Sequence, residues 1–237
     1  MYKKKTILAL IPARAGSKGV PGKNHALIAG KPLVDWTFQA AKACPLLDSI
    51  VCSTDDVRVA ACAQAQGITL IQRPARLAAD TTPMLAVILH ALEHLEKRGT
   101  KPDYLVLLQP TSPLRTSQDI TRAIQQTIDG HAVSLASVSP ISLRPGLLML
   151  ANQENAYLRL RSLVKKQADI RRQEAPQLYV VNGAVYVWKR SFLHPGATLN
   201  APKQGIVLAA GHTLDIDTPQ DFKACEQALR RRGQRLS

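Results

Sequence analysis

The apolar run Thr6–Ile11 passes without a break into Pro12-Ala-Arg-Ala-Gly-Ser-Lys-Gly-Val-Pro-Gly-Lys-Asn24. Such a run reads as a buried strand. It delivers the chain into a loop where Gly16, Gly19 and Gly22 alternate with Arg14, Lys18 and Lys23. Glycines lack a Cβ, so backbone N–H groups can close around an anion while fixed cations neutralise it. Exposed amides beside three cations suit a polyphosphate, and a nucleoside triphosphate site is the leading reading of this loop. It is not a Walker A loop: four residues separate Gly16 from Pro21, and Asn24 stands where a Mg²⁺-binding Ser or Thr belongs. Nor do its glycines fit the Gly-x-Gly-x-x-Gly fingerprint of dinucleotide binding.

Behind the loop, helical and strand patterns alternate. Leu33–Cys44 reads as a helix, Ser49–Ser53 as a strand, Val57–Gln66 as a helix and Ile68–Ile71 as a strand. Pro83–Lys97 is helical, Tyr104–Leu108 is a strand apolar throughout, Ser117–Ile128 is a helix with Ser117 as its N-cap, and Ala132–Val138 is a further strand. This order predicts an α/β chain with a mostly parallel sheet and helices on both faces. Ligands in such sheets bind beyond the carboxyl ends of the strands, where the opening loop falls.

The rhythm breaks between Pro140 and Gln177, a stretch carrying Arg144, Arg159, Arg161, Lys165, Lys166, Arg171 and Arg172. We read residues 140–177 as an excursion inserted within a single domain spanning 1–237, acting as a cap, a dimer arm or both. The core resumes at Tyr179–Trp188, and a last helix begins at Pro219, with Thr218 offering an N-cap hydroxyl and Asp221 an acid in the first turn.

The net charge of +14 admits nucleic acid as well as nucleotides, and seven of the 31 cations sit at the chain ends. Only three Phe and five Tyr are available for base stacking, and no zinc-finger, RNP or helix-turn-helix signature is present. A basic surface around an anionic substrate is the more economical account, with no specific nucleic acid and no membrane as partner. Cys44, Cys52, Cys62 and Cys225 are scattered, as reduced structural thiols of a cytoplasmic protein would be. His90-Ala-Leu-Glu-His94 matches a zinc-peptidase pattern, but no third ligand accompanies it.

Three further segments carry chemistry. Leu108–Arg115 brackets a polar turn with two prolines at a strand end, where Gln109 and Arg115 can face a ligand. Asp215-Ile-Asp217 sets two carboxylates on one side of an extended segment, a pattern able to hold Mg²⁺ while Ile216 packs inward. Asn182-Gly183 interrupts a strand, which marks a bulge or a close backbone approach.

Taken together, the opening loop, Ser53-Thr-Asp55, Arg73-Pro74, Leu77–Thr81, Leu108–Thr116, Asn182-Gly-Ala184 and Asp215–Thr218 resemble the acylneuraminate cytidylyltransferases, the CMP-sialic acid synthetase family. The likeness runs from Ile7 to about Phe222 with the motifs in the same order. It implies a Rossmann-like nucleotidyltransferase fold, CTP as nucleotide, Mg²⁺ as cofactor and a homodimer formed through the excursion. The implied reaction joins CTP to a nonulosonic acid and releases pyrophosphate. It also implies that Arg14, Ser17 and Lys23 hold the triphosphate, with Ala13 and Gly16 in the same nucleotide-binding loop. Asn24, Arg73, Asp80 and Thr81 fall on the nucleoside side, Gln109, Arg172, Tyr179 and Asn182 on the sugar side, and Asp215 and Asp217 form the metal pair. Arg14, Lys23, Asp215 and Asp217 are the residues implied in the chemistry. Two departures stand out: Thr82-Pro83-Met84 where hydroxyl residues are common, and Arg144-Pro-Gly-Leu147 where many sialate enzymes have His-Pro-x-Lys. The alternatives are a cytidylyltransferase for 3-deoxy-manno-octulosonate and, from another class, a basic nucleic-acid-binding protein.

Overall fold

Strand β1 (Ile7–Pro12) is buried at every position, and its side chains divide between two cores. Ile7, Ala9 and Ile11 join one cluster with Phe38, Val59 and Ile124, whereas Leu8 and Leu10 join another with Ile88, Leu92 and Trp188. Alternate side chains of a strand point to opposite faces, so a strand apolar at every position needs a layer on each side. The helices α1 (Leu33–Lys42), α2 (Val57–Ala65) and α4 (Ser117–Asp129) contribute to the first cluster, and α3 (Met84–Glu96) covers the second.

The computed structural model describes residues 1–17, 19–143, 148–154, 157–163 and 176–234. Besides β1, its strands are β2 (Leu27–Ile28), β3 (Lys31–Pro32), β4 (Ser49–Thr54), β5 (Thr69–Gln72), β6 (Tyr104–Leu107), β7 (Ser134–Ile141), β8 (Met149–Glu154), β9 (Tyr157–Ser162), β10 (Leu178–Lys189) and β11 (Gln204–Val207). The main sheet has seven strands in the order β11-β7-β10-β6-β1-β4-β5. All its pairings are parallel except those of β10, which runs antiparallel to both β6 and β7. The mostly parallel α/β fold read from the sequence is therefore present, with one reversed strand that its pattern did not reveal.

Element boundaries agree with the sequence reading to within a few residues, and one cap differs. The N-cap of α4 is Thr116, one residue earlier than expected. Its hydroxyl accepts from Asp119 N at 3.1 Å, while Asp119 Oδ2 accepts from Thr116 N at 2.9 Å, a reciprocal capping box that Ser117 cannot make. At α5 (Pro219–Gln234), Thr218 and Asp221 form the expected cap.

Strands β8 and β9 pair antiparallel as a separate two-stranded sheet, within the span read as an excursion. The outer ends of β7 and β10 continue pairing as far as Ile141 and Leu178. This end exposes Leu143, Met149, Leu150, Leu163, Tyr179, Val180 and Val181. Lys18, Arg172 and Arg144–Leu147 lie outside the described residues. Among the described residues, no helix is long and apolar enough to cross a membrane.

Candidate active site

The chain lays down β1, β4 and β5 outward, then returns to set β6 on the other side of β1. Strand order reverses between β1 and β6, and at such a point the loops leaving the two strands part to open a crevice. A cavity of about 370 Å³ lies there. The opening loop lends it Pro12, Arg14, Ser17, Gly19, Lys23 and Asn24. Across from them stand Gln109, Pro110 and Thr111 from the loop after β6, with Arg73 and Met84 from the third side. Asp215 and Asp217, just before α5, complete the wall.

The opening loop is held in place from below. Ala13 N donates to Ser53 O at 3.0 Å, Ala15 N to Asp55 Oδ1 at 3.0 Å, and Asn24 Nδ2 to Arg14 O at 2.9 Å. Behind the loop, His25 Nδ1 lies 2.9 Å from Asp56 Oδ2, and Asp56 Oδ1 accepts from Arg58 N at the start of α2. Burial works against the Asp56 charge. Hydrogen bonds from His25 and from the amides of Arg58 and Val59 outweigh that cost and hold the carboxyl below its usual range. Gly19 presses against the Asp215–Asp217 segment so closely that a Cβ would collide with Asp217 O. No atom lies within 4 Å of where a Gly16 Cβ would stand, so packing places no such demand there.

Arg14 and Lys23 have partners of opposite sign. Arg14 pairs with Asp80 and donates from Nη1 to Ala78 O at 3.4 Å. Lys23 is buried, donates to Ile216 O and sits 3.7 Å from Asp217 Oδ1. Arg73 is buried just after β5, with Nη2 donating to Ser53 O of β4 at 2.7 Å and Nε to Ser53 Oγ at 3.3 Å. Burial pulls its pKa down from the usual guanidinium value, although Asp55 counters part of the effect.

Ile216 is fully buried with Ile28, Leu33, Cys225 and Leu229, and its N–H donates to Thr111 O at 2.9 Å. That anchor leaves the carboxylates on either side of it at the cavity. Asp215 Oδ1 lies 3.3 Å from Ser112 Oγ, which donates to it. Among the described residues no group of three or more His, Cys, Asp or Glu could enclose a metal, His90 and His94 included. Two oxygen-donor residues facing a phosphate-sized space nevertheless suit Mg²⁺, whose shell is usually finished by water and substrate phosphate.

The β10 bulge lies behind Gln109 and Asp215. Register shifts between Val181 and Tyr186, and Gly183 adopts φ +78°. A Cβ there would lie 3.2 Å from Gln109 Oε1. Tyr186 stacks on Trp188 with ring centroids 5.2 Å apart, and its phenol pKa is raised by burial and by Asp215.

Of the residues singled out from sequence, Arg14, Ser17, Lys23, Asn24, Arg73, Gln109, Asp215 and Asp217 meet at one cavity. Ala13 is buried beneath it, Gly16 is exposed beside it, and Asp80 pairs with Arg14 without lining it. Thr81 is exposed and does not line it. Asn182 turns into the bulge, where its Nδ2 donates to Ser139 Oγ at 3.0 Å and its Oδ1 accepts from Ser137 Oγ at 2.5 Å. Tyr179 stands on the exposed outer half of β10, opposite Pro140. Arg115, expected to face a ligand beside Gln109, is instead buried, with Nη1 donating to Gln109 O at 3.2 Å and to Ala184 O at 2.6 Å. Sequence reasoning missed Met84, Thr111 and Ser112 as site residues. The two-proline loop contained the last two, but it gave no sign that Thr111 and Ser112 would meet the Asp215–Asp217 segment.

A crevice at a strand-order reversal, lined by cations and two carboxylates, defines a nucleotidyltransferase-type α/β protein. Residues 8–194 match the cytidylyltransferase family. The chain is 34% identical over 231 residues to the CMP-N,N'-diacetyllegionaminic acid synthase of Legionella pneumophila, covering 94% of this chain and 96% of that one. It is 30% identical over 218 residues to the N-acylneuraminate cytidylyltransferase of Streptococcus agalactiae serotype III, with 91% of this chain covered, and spans about half (51%) of that relative. A solved CMP:2-keto-3-deoxy-manno-octonic acid synthetase complexed with CTP shares its fold, with a TM-score of 0.69 at 20% identity, covering 96% of this chain and 99% of that one. The chain belongs to the cytidylyltransferase family and is a CTP-dependent nucleotidyltransferase of the acylneuraminate type.

Proposed function

We propose that this enzyme couples CTP to a nine-carbon nonulosonic acid of the legionaminate type, giving a CMP-sugar and pyrophosphate. The observation that carries the reading is the meeting of Arg14, Lys23, Arg73, Asp215 and Asp217 around one cavity whose opposite wall bears Gln109. The near full-length likeness to the Legionella synthase supports the choice of sugar, and Leu147 in place of the expected lysine fits an acceptor with a methyl where others have a hydroxyl. The octulosonate alternative rests on likeness of fold alone.

In this reading the anomeric hydroxyl of the sugar attacks the α-phosphorus of CTP in line, its proton leaves to solvent, and the bond to pyrophosphate breaks. Positioning and charge neutralisation supply most of the catalysis in such a transfer. Arg14 and Lys23 grip the β- and γ-phosphates. For this they exchange Asp80 and Asp217 for phosphate oxygens, so the loop carries charges already matched to an anion. Arg73 and Asn24 border the nucleoside. Asp215 and Asp217 would hold a divalent cation, Mg²⁺ in our reading, which when bound offsets charge on the reacting phosphate. Gln109 and the Gly183 backbone border the sugar.

We further propose a homodimer. Residues 140–177 form an inserted arm in a single domain, and its exposed apolar end packs against a second copy. Tyr179, Asn182 and Arg172 then serve the sugar side, Tyr179 by reaching the partner's site. The test is pyrophosphate release from CTP with legionaminate, pseudaminate, N-acetylneuraminate and the eight-carbon octulosonate, with and without Mg²⁺. The highest specificity constant is expected for a deoxy nine-carbon acid, with little turnover in chelator. Preference for the octulosonate overturns the substrate reading.

A further inference from the structure

A second cavity, of about 360 Å³, opens among α1, the start of α4 and the end of α5. Trp36, Ala40, Pro113 and Leu229 give it apolar walls, and among the described residues its charged lining consists of Arg115 and Arg232. Ser117 and Gln118 also line it. They are the first residues of a 13-residue helix, so their N–H groups have no acceptor inside the helix and carry the positive end of its dipole. Arg115 is only 2% exposed, and its Nε is buried without a hydrogen-bond partner. Arg232 spends one bond, from Nη1 to Leu114 O at 3.2 Å, and is otherwise exposed. An unpaired guanidinium N–H on one lining residue, a second guanidinium on another and the start of a helix on two more give a cavity of ligand size the chemistry of an oxyanion site with an apolar body pocket.

We propose that this cavity binds a phosphate-bearing small molecule of nucleotide size and that Arg115 links it to the active site. The residue that lines the second cavity also holds, through its guanidinium Nη1, the carbonyls of Gln109 and Ala184 at the sugar side of the first, and its Nη2 donates to Thr37 Oγ1 of α1 at 2.8 Å. A ligand that draws Arg115 toward the second cavity weakens its grip on Gln109. The site itself stands independently of the proposed acceptor. The link to the sugar side rests on that reading.

Trp36 and Trp188 are the two tryptophans of the chain, and Trp188 is buried in the core on the α3 side. Emission from Trp36 therefore reports the second cavity. Titration of the whole enzyme with CMP, pyrophosphate and inorganic phosphate is expected to give a saturable change with CMP that Trp36→Phe abolishes. CMP should bind about tenfold or more weakly in Arg232→Ala and in Ala43→Phe, which fills the cavity from an exposed position. Both variants should retain wild-type turnover without CMP. No saturable change with any probe, or CMP binding unaffected by both substitutions, overturns the site. Equal affinity for inorganic phosphate and CMP overturns the nucleotide-sized occupant. For the link, CMP at saturating CTP should alter KM for the acidic sugar in the wild type and not in Ala43→Phe. Binding without that change overturns the role given to Arg115 and leaves the proposed acceptor untouched.

Discussion

The two halves of the active-site region are built differently. On the side we assign to the triphosphate, Arg14, Lys23, Arg73, Asp215 and Asp217 sit on segments pinned to buried strands, and each side chain reaches the same cavity. On the side we assign to the sugar, Gln109 is at the cavity, Asn182 is turned into the β10 bulge, and Tyr179 stands exposed on the outer strand end. The first set is gathered within one chain. The second leaves apolar surface exposed around Tyr179, which is what the proposed dimer would cover.

The contrast breaks first at the carboxylates. Asp215→Asn and Asp217→Asn should each lower turnover by roughly a hundredfold or more, with an unfolding midpoint close to wild type. Asp217 is largely exposed and Asp215 keeps its Ser112 contact in the Asn form, so neither change damages the core. Near-normal turnover at limiting Mg²⁺ would take the altered residue out of the metal pair.

Next come the loop cations. Lys23→Ala and Arg14→Ala should raise KM for CTP by about tenfold while KM for the sugar moves little. Steady-state kinetics with each substrate varied in turn separates the two. An equal effect on both substrates would erase the division between halves.

Sharing between subunits is tested by complementation. Tyr179→Ala and Asp217→Asn, each impaired alone, should recover part of the wild-type activity when co-expressed and mixed, because one site in such a dimer carries neither lesion. Light scattering should report a dimer at micromolar concentration. A monomer with full activity would show the sugar half to be complete in one chain.

The smallest effects concern stability. Gly183→Ala forces a side chain onto φ +78° and towards Gln109, and should cost about 1–3 kcal/mol in denaturant unfolding together with a higher KM for the sugar. Asp103 is held below the usual carboxylate range by the Thr6 backbone N–H, despite burial, with Thr6 Oγ1 and Lys5 adding to the effect. A carboxyl with a lowered folded pKa contributes stability that is whole above its unfolded value of about 3.9 and is lost as pH falls through the folded value. Asp103→Asn should therefore flatten the acid limb of the melting-temperature profile and leave kinetics unchanged. Asp56 behaves in the same sense, but its loss also frees His25 behind the triphosphate loop, so Asp56→Asn should raise KM for CTP as well.

Much of this was legible in the chain. Apolar runs without polar interruption at Thr6–Ile11 and Tyr104–Leu108 can only be satisfied by layers on both faces, which sets the α/β class. The spacing of Asp215 and Asp217 around Ile216 depends on strand geometry alone, so it could be read without knowing what Ile216 packs against. What tertiary structure alone decided depends on contacts between distant segments. The reversed direction of β10 follows from where the chain re-enters the sheet, not from any alternation within Tyr179–Trp188. Arg115 shows the same limit. Beside Gln109 in sequence it looks like a ligand-facing cation, yet Ala184 and Thr37, 69 and 78 residues away, draw its guanidinium inward. Local pattern sets which segments become strands and which residues share a face. Only the folded packing sets which of two neighbouring side chains meets the ligand and which holds the wall behind it.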